Sequence, residues 1–113
     1  MTCGIYEFWC GPYFYQGSSR NIEERWKAHT RALKAARHQN DRVQAAYDKY
    51  GWTDAGILVE CEEYALIAWE QAYIDTNWGD EKYLNLNRRV LPHYKRRAAV
   101  RHELVLALYG FVW

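Results

Sequence analysis

The run Leu66-Ile67-Ala68-Trp69-Glu70-Gln71-Ala72-Tyr73-Ile74 limits what this chain can fold into more than any other segment. It reads as part of a helix over Tyr64 to Asp75. On a helix the same-face neighbours of position 70 are 66, 67, 73 and 74. All four are apolar or aromatic, so a fold that buries this stripe also buries a carboxylate at its centre. An ionised carboxylate taken out of water is costly unless a cation or hydrogen-bond donors meet it. Two readings stay open from this segment alone: a core glutamate paired with an arginine, or a carboxylate kept for chemistry.

The rest of the chain divides into short elements. Thr2 to Phe8 and Pro12 to Gln16 are rich in β-forming and aromatic residues and read as a hairpin, with Gly11-Pro12 as its turn. Alternation sends Tyr13 and Tyr15 to one face and Phe14 and Gln16 to the other. The polar Gln16 predicts a partly solvated outer face. Gly17-Ser18-Ser19 ends the second strand. Asn21, with Glu24 three residues on, marks the start of a helix running to about Arg37. Ile22, Trp26, His29, Leu33 and Ala36 form its inward stripe, and Arg25 shares a face with His29 at the border.

After a break at Gln39-Asn40-Asp41, Arg42 to Lys49 predicts a second helix. Val43, Ala46, Tyr47 and Tyr50 face inward, and Gly51 caps its end. Gly56 to Glu62 reads as a third strand and Asn77 to Asn87 as a loop. Pro92 is suited to open a last helix ending near Tyr109. This order predicts an α+β fold: a small three-stranded antiparallel or mixed sheet flanked by helices, with an added C-terminal helix. At 113 residues the chain suffices for one core and one domain, residues 1–113.

Half the residues are hydrophobic, with six Trp and ten Tyr, which excludes a disordered chain. No apolar run approaches bilayer-spanning length, and the start lacks a charged stretch followed by an apolar one. Cys3, Cys10 and Cys61 are odd in number, lack metal-ligand spacing and fall in predicted strands. Free thiols in a cytoplasmic protein with no membrane partner are the expectation. The net charge of +1 conceals a segregation. From Tyr50 to Glu81 there are eight acidic residues and no Lys or Arg. Arg20, Arg25, Lys27, Arg31, Lys34, Arg37 and Arg42 crowd the first helical region, and Arg88, Arg89, Lys95, Arg96, Arg97 and Arg101 form a second basic cluster. Segregation of this kind is compatible with a pair of solubilising faces, but the clustering modestly favours a phosphate-binding surface.

Gly4-Ile5-Tyr6, Tyr15-Gln16-Gly17, Arg25 and Glu70 occur in that order. In this series the chain resembles the GIY-YIG nuclease family, with Tyr15-Gln16-Gly17 standing for the second triad and Ser18-Ser19 following it. Arg25 falls where the family has its catalytic arginine and Glu70 where it has its metal-binding glutamate. Lys49-Tyr50-Gly51 and Asn85 also match stretches of the homing-endonuclease type. The resemblance spans about residues 3–87, with a basic extension over about 88–113. The chain departs from the pattern in a shorter spacing between triads and in Gln16, where a small aliphatic is usual.

The resemblance implies a metal-dependent endonuclease acting on DNA, double-stranded in the first instance, with one Mg2+ or Mn2+ per site. Glu70 would hold the ion, since a magnesium-like cation needs few carboxylates and keeps several waters. Arg25 would grip the scissile phosphate through its planar fork. Tyr6 and Tyr15, expected to end neighbouring strands, would converge on one edge, and one of them would take a proton from water. A phenol with a pKa near ~10 does this only when cations lower it. His29 matches a histidine one turn after the arginine that polarises a tyrosine or water. Arg20, Lys27, Arg31, His38, Arg96, Arg97 and Arg101 are the expected nucleic-acid contacts. Gly4, Gly17 and Asn85 (or Asn87 in its stead) are the expected supports.

Three other readings compete: a repair or junction-resolving nuclease with the same site, a binding module that kept the fold, and an aromatic-rich interaction domain. A binder needs only the basic surface, and an interaction domain leaves Glu70 unexplained. Trp78, Phe111 and Trp113 would either form an apolar patch suited to a homodimer or pack the core. Compact size is compatible with a phage or mobile-element origin.

Overall fold

The computed structural model describes residues 1–90. Its elements are β1 (Gly4–Cys10), β2 (Tyr13–Ser19), α1 (Ile22–Lys34), α2 (Asp41–Tyr50), β3 (Asp54–Glu60), a 3₁₀ turn (Glu63–Ala65) and α3 (Leu66–Asn77). The strands form one antiparallel sheet in the order β2-β1-β3. The α+β architecture agrees with the expectation, and the sheet is antiparallel throughout. The last helix expected from Pro92 lies outside the described residues.

Gly11 makes the hairpin possible. With Cys10 opposite Tyr13, only Gly11-Pro12 connects β1 to β2. Gly11 has φ +63°, the left-handed conformation that a type II′ turn requires at its first central position. Trp9 then stacks on Phe14 across the strands, with centroids 4.7 Å apart. On the other side of β1 the register slips between Ile5 and Tyr6, leaving Leu58 as the extra residue of a bulge in β3.

Over β1 and β2 both faces of the sheet are covered, which accounts for the difference at Gln16. Tyr6, Phe8 and Cys10 pack with Ile22, Leu33, Val43, Ala46 and Leu84 on the side of α1 and α2. Phe14 packs with Ile74 and Tyr83 on the side of α3. The alternation along β2 is as read, but Gln16 is only 4% exposed. It is buried rather than partly solvated, because α3 and the segment after it close over that face. Its amide donates to Glu7 at 3.3 Å and its carbonyl accepts from Asn77 at 3.2 Å, so the buried polar group is satisfied.

The free edge of β2 is also covered. Phe14 N–H donates to Lys82 O at 3.0 Å and Leu84 N–H to Phe14 O at 2.8 Å. Asn85 continues this ladder with its side chain, Oδ1 accepting from Gln16 N–H at 2.9 Å and Nδ2 donating to Gln16 O at 2.8 Å. Asn85 is buried and Asn87 exposed, so the bracing asparagine is Asn85.

Several boundaries move. β1 runs two residues further than Phe8, and Gly17-Ser18-Ser19 lies inside β2 rather than ending it. β3 begins and ends two residues earlier than read. α1 ends at Lys34, because Ala36 takes a left-handed φ of +57° and leaves its side chain exposed instead of inward. α3 begins at Leu66, behind the 3₁₀ turn, and continues to Asn77. Tyr50 is 39% exposed rather than inward, its ring lying against Tyr13 and over Gly11.

Capping follows the sequence closely. Asn21 Oδ1 accepts from Glu24 N–H at 3.2 Å, but the reciprocal half of a capping box is replaced, since Asn21 N–H donates to Ser19 Oγ at 2.9 Å. Asn40 caps α2, accepting from Arg42 and Val43, and Gly51 ends that helix with φ +75°. All three cysteines are free, though only Cys10 lies in a strand; Cys61 N–H donates to Cys3 O just beyond β1 and β3. No helix among the described residues is long and apolar enough to cross a membrane.

Candidate active site

Tyr6 and Tyr15 rise from neighbouring strands on the α1 side of the sheet. Tyr6 is opposite Gly17 and Tyr15 is opposite Phe8, so the two are diagonal neighbours in mid-strand. The expectation that they end their strands is corrected; Gly17 is what brings the phenol into place. A Cβ on Gly17 would lie 2.6 Å from Tyr6 Oη and 2.7 Å from its Cζ. Without that atom the Tyr6 ring lies across β2 and its hydroxyl reaches His29 Nε2 at 2.7 Å. Trp26 packs on Tyr6 edge to face, and the Tyr15 ring sits between Phe8 and His29 at 5.2 and 5.5 Å.

Arg25 and His29 come from successive turns of α1. Arg25 is exposed as a residue, yet its guanidinium turns in to hydrogen-bonding reach of the Tyr6 hydroxyl. Burial pushes the Tyr6 phenol well above its ordinary pKa; Tyr15 adds to the rise, and Arg25 opposes it. Burial would lower the Arg25 pKa, but Tyr6, Tyr15 and Glu70 together outweigh it and raise it. Burial, aided by the charge of Arg25, lowers His29 to about 3, so its imidazole is neutral near pH 7.

Glu70 reaches the same place from the other side. α3 packs against β2, on the face that carries Phe14, Gln16 and Ser18. There Glu70 is 8% exposed and accepts a hydrogen bond from Ser18 Oγ. Its charge is felt by both Tyr6 and Arg25 across the strand. The site therefore straddles β2, with two tyrosines, an arginine and a histidine on one face and a carboxylate on the other.

The remaining expected residues are distributed as follows. Gly4 opens β1 opposite Glu60, where a Cβ would collide with the Val59 carbonyl. Arg20 pairs with Glu63 at 3.5 Å and Lys27 with Glu24 at 3.4 Å, both on the surface. Lys27 and Arg31 line a groove of about 500 Å3 together with Trp26 and Trp52. Arg96, Arg97 and Arg101 lie outside the described residues, as do Phe111 and Trp113. Trp78 is 37% exposed. His38 is half-buried. Its Nε2 meets His29 Nδ1 at 2.7 Å.

Sequence reasoning named Ser18 and His38 but not the partners the structure gives them, Glu70 and His29. The pairing of Ser18 was legible in principle, since alternation puts it on the Gln16 face that α3 covers. His38 carries no such signal, because it lies between two helices where no periodicity operates.

A single antiparallel sheet backed by helices, with tyrosines, an arginine and a glutamate gathered at one edge strand, defines a small nuclease domain. The chain belongs to the GIY-YIG family: the model of the GIY-YIG catalytic domain matches residues 2–83. Two solved structures of I-TevI are similar to it. One is a mutant of the catalytic domain of the intron endonuclease, with TM-score 0.70 and 24% identity over 81% of this chain and 100% of that one. The other is the catalytic domain of the homing endonuclease, with TM-score 0.66 and 25% identity over 75% of this chain and 98% of that one. No curated protein matches the chain. The protein is thus a GIY-YIG endonuclease whose substrate is a nucleic acid.

Nucleases of this family generally use a divalent metal ion. Among the described residues no three His, Cys, Asp or Glu side chains gather into a metal-binding group. A lone buried carboxylate still fits a hard cation that keeps most of its waters and shares phosphate oxygens with its substrate.

Proposed function

We propose that this domain hydrolyses phosphodiester bonds of double-stranded DNA, with Tyr6, Tyr15, Arg25, His29 and Glu70 as its active site and Glu70 holding one Mg2+ or Mn2+. The observation that carries this reading is the burial of Glu70 within electrostatic reach of Arg25 and Tyr6. Glu70 is the residue that would hold the ion, which when bound would supply charge stabilisation to the phosphate oxygens. Arg25 presents its fork to the non-bridging oxygens of the scissile phosphate. Water attacks phosphorus, the P–O bond to the leaving oxygen breaks, and the proton lost by the water passes to a base.

Tyr6 is the residue suited to receive that proton, but only as phenolate. Burial opposes ionisation and Arg25, by its charge and hydrogen bond, favours it, so Arg25 is the residue that would make the phenol usable. Tyr15 walls the cleft and orients the water. Lys27 and Arg31, beside the Trp26–Trp52 groove, hold the DNA backbone together with Arg20, Arg96, Arg97 and Arg101. The domain acts in the cytoplasm and is one unit over residues 1–113.

The deciding experiment is nicking of supercoiled plasmid by wild type and Glu70→Gln, with magnesium, with manganese and with chelator. Cleavage that depends on the ion and on Glu70 is expected. Equal cleavage with chelator would end the metal-assisted reading.

A further inference from the structure

The hydrogen bonds behind Tyr6 have one end whose direction is not open to choice. The backbone N–H of Asn40 can only donate, and it meets His38 Nδ1 at 3.0 Å. Nδ1 therefore accepts, and His38 carries its proton on Nε2. A doubly protonated His38 would set one donor against another, so the geometry itself keeps this ring neutral. His38 Nε2 faces His29 Nδ1 at 2.7 Å. The two rings are 16° from parallel with centroids 5.0 Å apart, which with so short an N···N distance is an in-plane N–H···N bond. His29 Nδ1 accepts in turn, which leaves the His29 proton on Nε2, 2.7 Å from Tyr6 Oη.

We infer that His38 is a positioning residue: it fixes His29 as the Nε2–H tautomer, so that His29 donates its proton to the Tyr6 oxygen rather than accepting one from it. This rests on the reading of Tyr6 as the proton acceptor of the reaction and deepens it. A donor aimed at the phenol oxygen favours phenolate, and it cannot also remove the phenol's proton. The Tyr6 O–H is thereby directed away from His29, and His29 is excluded as its base. Burial lowers the pKa of both imidazoles, in keeping with two neutral rings.

The start of the relay is held firmly. Asn40 is buried as the N-cap of α2, and its Nδ2 donates to Leu84 O at 2.9 Å. His38 N–H donates to Gln44 Oε1 at 3.1 Å, which sets the loop on α2. The orientation of an N-cap thus determines the tautomer of a histidine two links away.

Long-range 1H–15N spectra of the labelled full-length chain near pH 7, without DNA or metal, read each tautomer directly. His29 and His38 are both expected as Nε2–H forms. Finding His29 as the Nδ1–H form, or charged, overturns the inference. Two variants add a functional arm. His38→Gln keeps an N–H donor, and should keep the His29 tautomer and most of the cleavage. His38→Leu has none, and should leave His29 in a mixture of tautomers with cleavage reduced roughly 10–100-fold. An unchanged His29 tautomer and undiminished cleavage in His38→Leu would also overturn it. If the tautomers are as expected but the wild type does not cleave, the relay stands and the proposed function fails.

Discussion

Glu70 and His29 are two buried titratable side chains that the fold treats in different ways. Glu70 was legible from its place on an apolar stripe, but its partner Ser18 depends on the meeting of α3 with β2. Glu70→Gln keeps shape and a hydrogen-bonding oxygen while losing the charge that binds a hard cation. Cleavage is expected to fall by several orders of magnitude, with DNA binding retained through the arginines and the melting temperature unchanged or slightly raised. Near-normal magnesium-dependent nicking, or a clear fall in melting temperature, would contradict this. His29 makes a pH-dependent prediction. Its folded pKa of about 3 lies below the ordinary 6.5, so between those values the unfolded chain binds a proton that the folded one does not. Stability therefore falls as pH drops through this window, by up to about 1.4 kcal/mol per pH unit from this group. Denaturant titrations at pH 7 and pH 5 should show the loss in wild type and a smaller one in His29→Gln. Equal losses in the two proteins would refute it.

At the scale of elements, the hairpin was the easiest to read and its details the hardest. Gly11-Pro12 and the alternation of aromatics specify two strands locally, whereas the length of β2 depends on the pairing of Gly17, Ser18 and Ser19, which have little strand propensity of their own, with Tyr6, Ile5 and Gly4. These small residues extend β2 because β1 runs beside them and because the Tyr6 ring occupies the space above Gly17. Gly17→Ala must displace a ring that is 1% exposed. The expected cost is about 1–3 kcal/mol, read from the denaturation midpoint, together with a loss of cleavage from the shifted hydroxyl. A fully active Gly17→Ala protein of unchanged stability would show that the Tyr6 ring is free to move. Gln16 teaches the converse lesson. Its polarity pointed to solvent, but Glu7 and Asn77 satisfy it in the interior.

Over the whole molecule, charge segregation decides how a chain of net charge +1 meets a polyanion. The acidic stretch from Tyr50 to Glu81 supplies β3 and α3, while most of the first basic group lies on or beside α1. If the second basic group also tracks DNA phosphates, replacing Arg96, Arg97 and Arg101 with Gln should weaken binding. It should also reduce the slope of log affinity against log salt by roughly one unit per lost contact. The same slope in the variant and the wild type would assign that cluster to another role. Binding titrations at several salt concentrations measure this directly.

By itself, the sequence determined the order of the strands and α-helices through residue 77 (though not the 3₁₀ turn at Glu63–Ala65), the capping residues Asn21 and Gly51, and the ordered series Tyr6, Tyr15, Arg25, Glu70. These are matters of local propensity and one-dimensional spacing, which a single chain displays without its fold. Only the tertiary structure decided that Gln16 is buried, that Asn85 rather than Asn87 braces β2, that Ser18 meets Glu70, and that His38 turns inward to His29. Each of these joins residues from elements, or from loops, whose relative orientation no local pattern carries. Burial and hydrogen-bond direction are properties of that meeting, not of either partner alone.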